Sequence, residues 1–270
     1  AFAELIERQI KGGSSALVPC GTTGESATLS HQEHREVVEL CIEVAGGRVP
    51  VIAGAGSNST REAIELVEHA KSVGADAALV ICPYYNKPDQ IGLEAHFTAI
   101  NDAVSMPVVL YNVPSRTACD LLPETVGRLA KLPNIVGIKD ASNDLGRVSM
   151  HAALTEGEQF VQLSGEDPSS LGHRAMGGAG CISGTANVAP DLCAQMHTAF
   201  DDGDLATAQA LDKRLIRIHK AMFASPSPGP AKYVLAKMGV GTDEVRLPIV
   251  APDEAAKTQI YQALADAGLA

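Results

Sequence analysis

Short apolar runs alternate along this chain with longer stretches in which apolar residues return every three or four positions. The first such stretch carries Phe2, Leu5, Ile6 and Ile10 at helical spacing and closes on Gly12-Gly13. Residues 16–20 then read as a strand, leading into a hydroxyl- and glycine-rich loop from Gly21 to Ser26. Ser30-His31-Gln32-Glu33 is a capping-box signature, and Val37, Leu40, Cys41 and Val44 form the expected apolar stripe of the helix it opens. The same unit of strand, loop and helix recurs. Strands are predicted over 49–53, 77–82, 107–111, 135–139, 160–164 and 179–183, with helices beginning near Ser59, after Pro88, near Pro123 and near Leu145. Near-continuous apolar runs of this length are the pattern of strands buried on both faces.

Seven strands, each followed by helical sequence and with no hairpin signal between them, imply a parallel α/β sheet with right-handed crossovers. A helix ahead of the first of them fits a (β/α)8 TIM barrel over residues 1–202 whose first strand lies upstream of Ala1. An open doubly wound sheet is the alternative. A barrel missing its first strand would present unpaired strand edges at one seam. Residues 203–223 and 252–268 are predicted helices, separated by Ser225-Pro226-Ser227-Pro228-Gly229-Pro230 and a short helix over 231–238. Residues 203–270 are therefore expected to be a C-terminal helical region.

Composition narrows the class of partner. Hydrophobic residues make up 46% and aromatics 4%, with no tryptophan, so the core is built mainly of Ala, Val, Ile and Leu. A formal net charge of -11 argues against nucleic acid, whose phosphates require clustered Lys and Arg, and leaves small metabolites. Cys20, Cys41, Cys82, Cys119, Cys181 and Cys193 show no C-x-x-C pair or metal-ligand spacing, and read as reduced thiols of a cytosolic protein. No apolar stretch approaches the ~18 residues of a membrane span. No signal-peptide pattern opens the chain, which begins without a methionine.

The run Ile135-Val136-Gly137-Ile138-Lys139-Asp140 puts a cation at the end of a buried strand. Burial disfavours an ammonium ion, and a neutral lysine amine is a nucleophile suited to imines with carbonyl substrates. The plainer alternative is a lysine that reaches solvent or pairs with Asp140. Its company favours chemistry: Thr22, Thr23, Tyr84, Tyr85, Tyr111 and Ser183 also fall at strand C-terminal ends, the rim that carries barrel active sites. Other signals are weaker. Gly54-Ala55-Gly56-Ser57-Asn58-Ser59 lacks the third glycine and the distal acid of a dinucleotide fingerprint. His31 and His34 have no H-E-x-x-H context or carboxylate cluster to complete a metal site, so no metal is expected. Gly177-Gly178-Ala179-Gly180 reads as a tight helix-to-strand connection.

Three motifs in order, Gly21-Thr22-Thr23-Gly24-Glu25, Tyr111-Asn112-Val113-Pro114-Ser115-Arg116-Thr117 and Gly137-Ile138-Lys139, resemble those of the dihydrodipicolinate synthase family, among the pyruvate-dependent Schiff-base lyases. The similarity runs from Ala1 to the C-terminus. It implies a (β/α)8 barrel with a helical C-terminal region and no cofactor beyond a covalent imine between pyruvate and Lys139. The enamine formed from that imine would attack aspartate semialdehyde. Tyr111 would be the central proton carrier, Thr22 its hydrogen-bonded partner, and Tyr85 a third member reaching in from a neighbouring subunit. Thr23, Gly165 and the backbone amide near Ile182 would hold substrate, the pyruvate carboxylate in particular, and Arg116 would take the carboxylate of the aldehyde substrate.

The resemblance further implies a homotetramer built from tight dimers. It also implies inhibition by L-lysine at a dimer interface, through Ser26, Ala27, His31, His34, Asn58, Glu62 and Tyr84. Two departures from the family pattern, Asp140-Ala141-Ser142 and Pro228-Gly229-Pro230-Ala231-Lys232, touch no expected catalytic atom. The competing readings are an aldolase for a keto-sugar acid using the same imine, and a non-catalytic barrel that binds or regulates.

Overall fold

The computed structural model describes residues 1–269. In chain order the elements are α1 (Phe2–Lys11), α2 (His31–Ala45), β1 (Ile52–Gly54), α3 (Thr60–Ser72), β2 (Ala77–Ile81), α4 (Gln90–Ala103), β3 (Val108–Asn112), α5 (Pro114–Thr117) and α6 (Pro123–Leu129). They continue with β4 (Ile135–Asp140), α7 (Gly146–Leu154), β5 (Val161–Ser164), α8 (Ser170–Ala175), β6 (Gly180–Cys181), α9 (Pro190–Asp201), α10 (Leu205–Ala221), α11 (Gly229–Lys237) and α12 (Glu254–Asp266). Two compact units result, one made of Ala1–Pro50 with Ser183–Ala270, the other of Val51–Ile182.

The second unit holds a sheet whose strands lie in sequence order, β1 to β6, every pair parallel. Each connection passes through a helix, as the alternating pattern requires. Leu93, Phe97, Ile100, Leu110, Leu121, Leu129 and Ile138 are fully enclosed there. Burial of one such side chain is worth ~1.5–3 kcal/mol. The expected strand over 179–183 is shorter than predicted, but its ladder extends on both sides: Ala179 N donates to Gln162 O at 2.8 Å and Ile182 N to Ser164 O at 2.9 Å.

The first unit contains helices and a single strand-like residue. The expected strand over 16–20 reduces to Leu17, whose N–H donates to Pro50 O at 2.9 Å. Pro19 has no N–H to offer a ladder, and Cys20 turns the chain at φ 55. The capping box of α2 is present, with Glu33 N donating to Ser30 Oγ and Ser30 N to Glu33 Oε2. The buried face of α2 is His34, Val38, Cys41 and Ala45, while Leu40 is exposed. The predicted stripe is thus turned about the axis, because the enclosed positions include a histidine and an alanine that an apolar-only pattern passes over. At the start of α3, Ser59 makes no side-chain cap, and the hydroxyl of Ser57 bonds Glu62.

The loop after Cys20 is fastened by Glu25. Its carboxylate accepts from Lys232 Nζ at 2.7 Å and from Arg246 N at 2.9 Å. Burial pushes this carboxyl up, and the hydrogen bonds and charges of Arg246 and Lys232 outweigh it, so the net shift is downward. Arg246 also forms a two-pronged pair with Glu33, at 2.7 and 2.8 Å. Among the described residues no helix is long and apolar enough to cross a membrane.

Candidate active site

Parallel pairing sets Tyr111 opposite Lys139 at the C-terminal ends of β3 and β4. Both are buried, and Lys139 Nζ lies 4.1 Å from the centre of the Tyr111 ring. A cation over an aromatic face is attracted by the ring quadrupole, which holds the amine against the Tyr111 phenol. Period-two alternation sends Asp140 to the opposite side of β4 from Lys139. The Lys139 stem runs past Gly165, where an added Cβ would lie 3.1 Å from Lys139 Cε and 2.7 Å from Ala141 Cβ.

Arg116 is carried by α5, the short turn directly after β3, and is exposed. Its loop is fixed from below. Asn112, fully buried, donates to Asp120 Oδ1 at 2.9 Å and accepts from Leu121 N at 3.0 Å. Asp120 is clamped by Arg147 at 2.5 and 2.8 Å, which holds its carboxyl below the usual range against the opposing effect of burial. The Thr117 hydroxyl donates to Val113 O at 3.1 Å and Cys119 O at 2.9 Å. The guanidinium of Arg116 itself makes no hydrogen bond or ion pair with another described residue and is available to a ligand anion.

Sequence reasoning missed Glu166. Burial raises its carboxyl, the neighbouring Asp167 raises it further, and Lys139 and Arg116 both pull it down. One half-buried acid is therefore within electrostatic reach of the lysine and the arginine. Its position immediately after Gly165 at the end of β5 was the available signal.

On the other side of β4, Asp140, His151, Gln162 and His173 line a cavity of about 20 Å³. Asp140 Oδ2, His151 Nε2, Gln162 Oε1 and His173 Nδ1 have no hydrogen-bond partner within the protein. Burial pushes both imidazoles down, and Asp140 pushes both up. No group of three or more His, Cys, Asp or Glu among the described residues is arranged to hold a metal ion.

The remaining expected residues separate into two groups. Tyr84 and Tyr85 follow β2. Tyr85 is 90% exposed and held at φ 73, a left-handed conformation costly for a residue with a Cβ, so its ring does not pack with the Lys139 and Tyr111 pair of its own chain. Asn86 ties this turn to the start of α3 by donating to Asn58 O at 2.9 Å, near Glu62. Thr22, Thr23, Ser26, Ala27, His31 and His34 belong to the first unit. There Thr22 O accepts from Glu25 N at 3.2 Å, Thr23 Oγ1 is 3.5 Å from Ser227 Oγ, Ser26 and Ala27 form a 3-10 turn, and His34 lies on the buried face of α2. The Ile182 N–H is spent on Ser164 O, so a carboxylate beside Ile182 would be met by a neighbouring amide.

A buried lysine amine laid on a tyrosine at the strand ends of a parallel α/β sheet, with an uncommitted arginine on the next loop, defines a class of carbonyl-handling protein. A family model described as the dihydrodipicolinate synthetase family matches residues 1–267, and the chain belongs to that family. It is 70% identical over 270 residues to the 4-hydroxy-tetrahydrodipicolinate synthase of Hyphomonas neptunium, covering 100% of this chain and 92% of that one. Among solved structures it resembles the dihydrodipicolinate synthase of Acinetobacter baumannii complexed with pyruvate, at 42% identity and TM-score 0.96, covering 100% of this chain and 92% of that one. A dihydrodipicolinate synthase of Cyanidioschyzon merolae with lysine bound matches at 37% identity and TM-score 0.94, over 100% and 91% of the two chains.

Proposed function

We propose that this chain is a lyase that condenses pyruvate with aspartate 4-semialdehyde to give 4-hydroxy-tetrahydrodipicolinate, the first committed step of diaminopimelate and lysine biosynthesis. The observation that carries this reading is the Lys139 amine held 4.1 Å from the Tyr111 ring, in a family member 70% identical to a synthase of that name. The amine adds to the keto carbon of pyruvate, and loss of water leaves an imine. The imine nitrogen draws electrons from the methyl carbon, which gives up a proton and becomes an enamine. The enamine carbon then bonds to the aldehyde carbon of the second substrate. No external cofactor takes part.

Each proton needs a group that both gives and takes it at one place. The Tyr111 hydroxyl meets that requirement. The Thr22 hydroxyl is assigned to the same relay, and so is Tyr85, whose 90% exposure suits a side chain that serves another copy of the chain. Arg116 binds the aldehyde substrate's carboxylate through paired hydrogen bonds. Gly165, Ile182 and Thr23 lie on the pyruvate side. The assembly is a homotetramer of tight dimers in the cytoplasm, each chain a (β/α)8 barrel over 1–202 with a helical region over 203–270. L-Lysine acts as effector through Ser26, Ala27, His31, His34, Asn58, Glu62 and Tyr84, a reading supported by the lysine-bound relative.

The test is a direct comparison of substrates. Pyruvate with aspartate semialdehyde should be turned over, and keto-sugar acids should not be cleaved at a comparable rate. Preferential sugar-acid cleavage would assign the same imine chemistry to an aldolase.

A further inference from the structure

We propose that Cys82 and Cys119 are a reversible redox pair, joined into a disulfide by a hydroperoxide, which ties the turn after β2 to the turn after β3. The two cysteines are 37 positions apart in sequence, yet the fold sets them side by side. Cys82 continues the ladder past the end of β2, its N–H donating to Tyr111 O at 2.9 Å. Cys119 ends the turn that begins with α5, and its Sγ lies 3.0 Å from the carbonyl oxygen of Pro83, the residue after Cys82. Each thiol bears on the titration of the other, Cys82 being pushed up and Cys119 down, as befits neighbouring side chains.

The surroundings divide the roles. Cys82 is completely enclosed, and the neighbouring Cys119, its burial and the carboxylates of Asp120 and Asp140 all keep it a thiol. Cys119 reaches the surface slightly. Its neighbours Cys82 and Thr117 bring Cys119 down to about 6, against burial and Asp120, while the Pro83 carbonyl, which accepts from its S–H, favours the thiol. The less enclosed of the two sulfurs, which is also the one that titrates lower, attacks, and its fully enclosed neighbour resolves. Cys20 and Cys41, pushed up to about 12 and about 11 by burial, are inert by comparison.

The reaction balances with one hydroperoxide. The Cys119 thiolate attacks the peroxide oxygen, an S–O bond forms as the O–O bond breaks, and the leaving alkoxide or hydroxide takes up a proton. Cys119 is then a sulfenic acid. Cys82 sulfur attacks it, the S–S bond forms, the S–O bond breaks, and water departs with the Cys82 proton. Two thiols are oxidised and one peroxide is reduced. Thiol exchange reverses the bond, the usual fate of a disulfide in a reducing compartment. The bond would cross-link the turn bearing Tyr84 and Tyr85 to the turn bearing Arg116, two segments that otherwise meet through the Cys119 to Pro83 hydrogen bond.

The reduced full-length protein is treated with hydrogen peroxide and read by intact mass and peptide mapping. The wild type should lose about 2 Da, yield a peptide containing Cys82 linked to one containing Cys119, and regain both thiols with dithiothreitol. Cys82→Ser should stop at a sulfenic acid on Cys119 that dimedone captures, and Cys119→Ser should leave Cys82 as a thiol at the same dose. A bridge between other cysteines, over-oxidation of wild-type Cys119 without a bridge, or a wild type unmodified at doses that convert free cysteine would overturn the proposal. The wild-type peptide map decides this even where a variant folds poorly, and it does not depend on the activity assigned above.

Discussion

A Cβ built on Gly165 would stand 3.1 Å from Cε of Lys139, and it would also press on Ala141 Cβ and Asp140 O at 2.7 and 3.2 Å. The glycine after β5 therefore defines the channel along which the lysine stem travels. Gly165→Ala should displace the amine while the sheet, held by its ladder, persists. Displacements of this order in a reacting group cost about 10²-fold in rate. We expect kcat to fall by about 10- to 100-fold and the melting temperature to fall by several degrees from overpacking against Ala141, measured by steady-state kinetics and thermal unfolding. An unchanged kcat would show that the stem has room to spare.

Arg116 should act on the second substrate alone. Hydrogen bonds to a charged group are worth about 1.5–3 kcal/mol, so Arg116→Ala should lower kcat/KM for aspartate semialdehyde about 10- to 100-fold. Imine formation with pyruvate should survive. Equal loss in both steps would place Arg116 in a structural role.

Glu166 offers a test in which stability and activity move in opposite directions. Its carboxyl is raised, so the folded protein binds the proton more tightly than the unfolded chain does. Such a group opposes folding once pH exceeds its folded pKa, and the folded state recovers stability as pH falls through it. Glu166→Gln should raise the melting temperature at pH 7 by about 1–3 °C and alter the acid limb of the rate profile. A lower melting temperature would mean that its contacts outweigh the buried charge.

His96 carries the opposite sign. Burial pushes it down to about 4, and its Nδ1 sits 2.9 Å from Thr60 Oγ1. An unfolded histidine titrates near 6.5, so stability is lost progressively from about pH 6.5 toward pH 4, where the unfolded chain takes up a proton that the folded one resists. His96→Asn, which keeps an acceptor near the Nδ1 position, should flatten the dependence of unfolding free energy on pH across that window. An equally steep slope would assign the acid lability to other groups.

The parts legible in the sequence were those governed by period and position. The parallel sheet followed from alternating runs, and the placing of Tyr111 and Lys139 on one rim followed from two strands ending on chemically able residues, while their direct pairing is read from the register. Residues 16–20 carry the apolar pattern of a strand but form only a single bridge at Leu17, because Pro19 lacks an N–H and Cys20 turns the chain. The face of α2 was misjudged because His34 is buried there. Glu166 was passed over because acids at loop starts are ordinarily solvated, and only the fold reveals Lys139 and Arg116 within its reach. The contact between Cys82 and Cys119 joins two turns that no local pattern links.

The central claim is that Lys139 forms an imine with pyruvate. Borohydride reduction of the protein in the presence of pyruvate, read by mass and peptide mapping, tests it most directly. One stable adduct per chain is expected on the peptide containing Lys139, none in Lys139→Ala, and slowed turnover with adduct formation partly retained in Tyr111→Phe. An unmodified wild-type protein, or an adduct on another lysine, would contradict it.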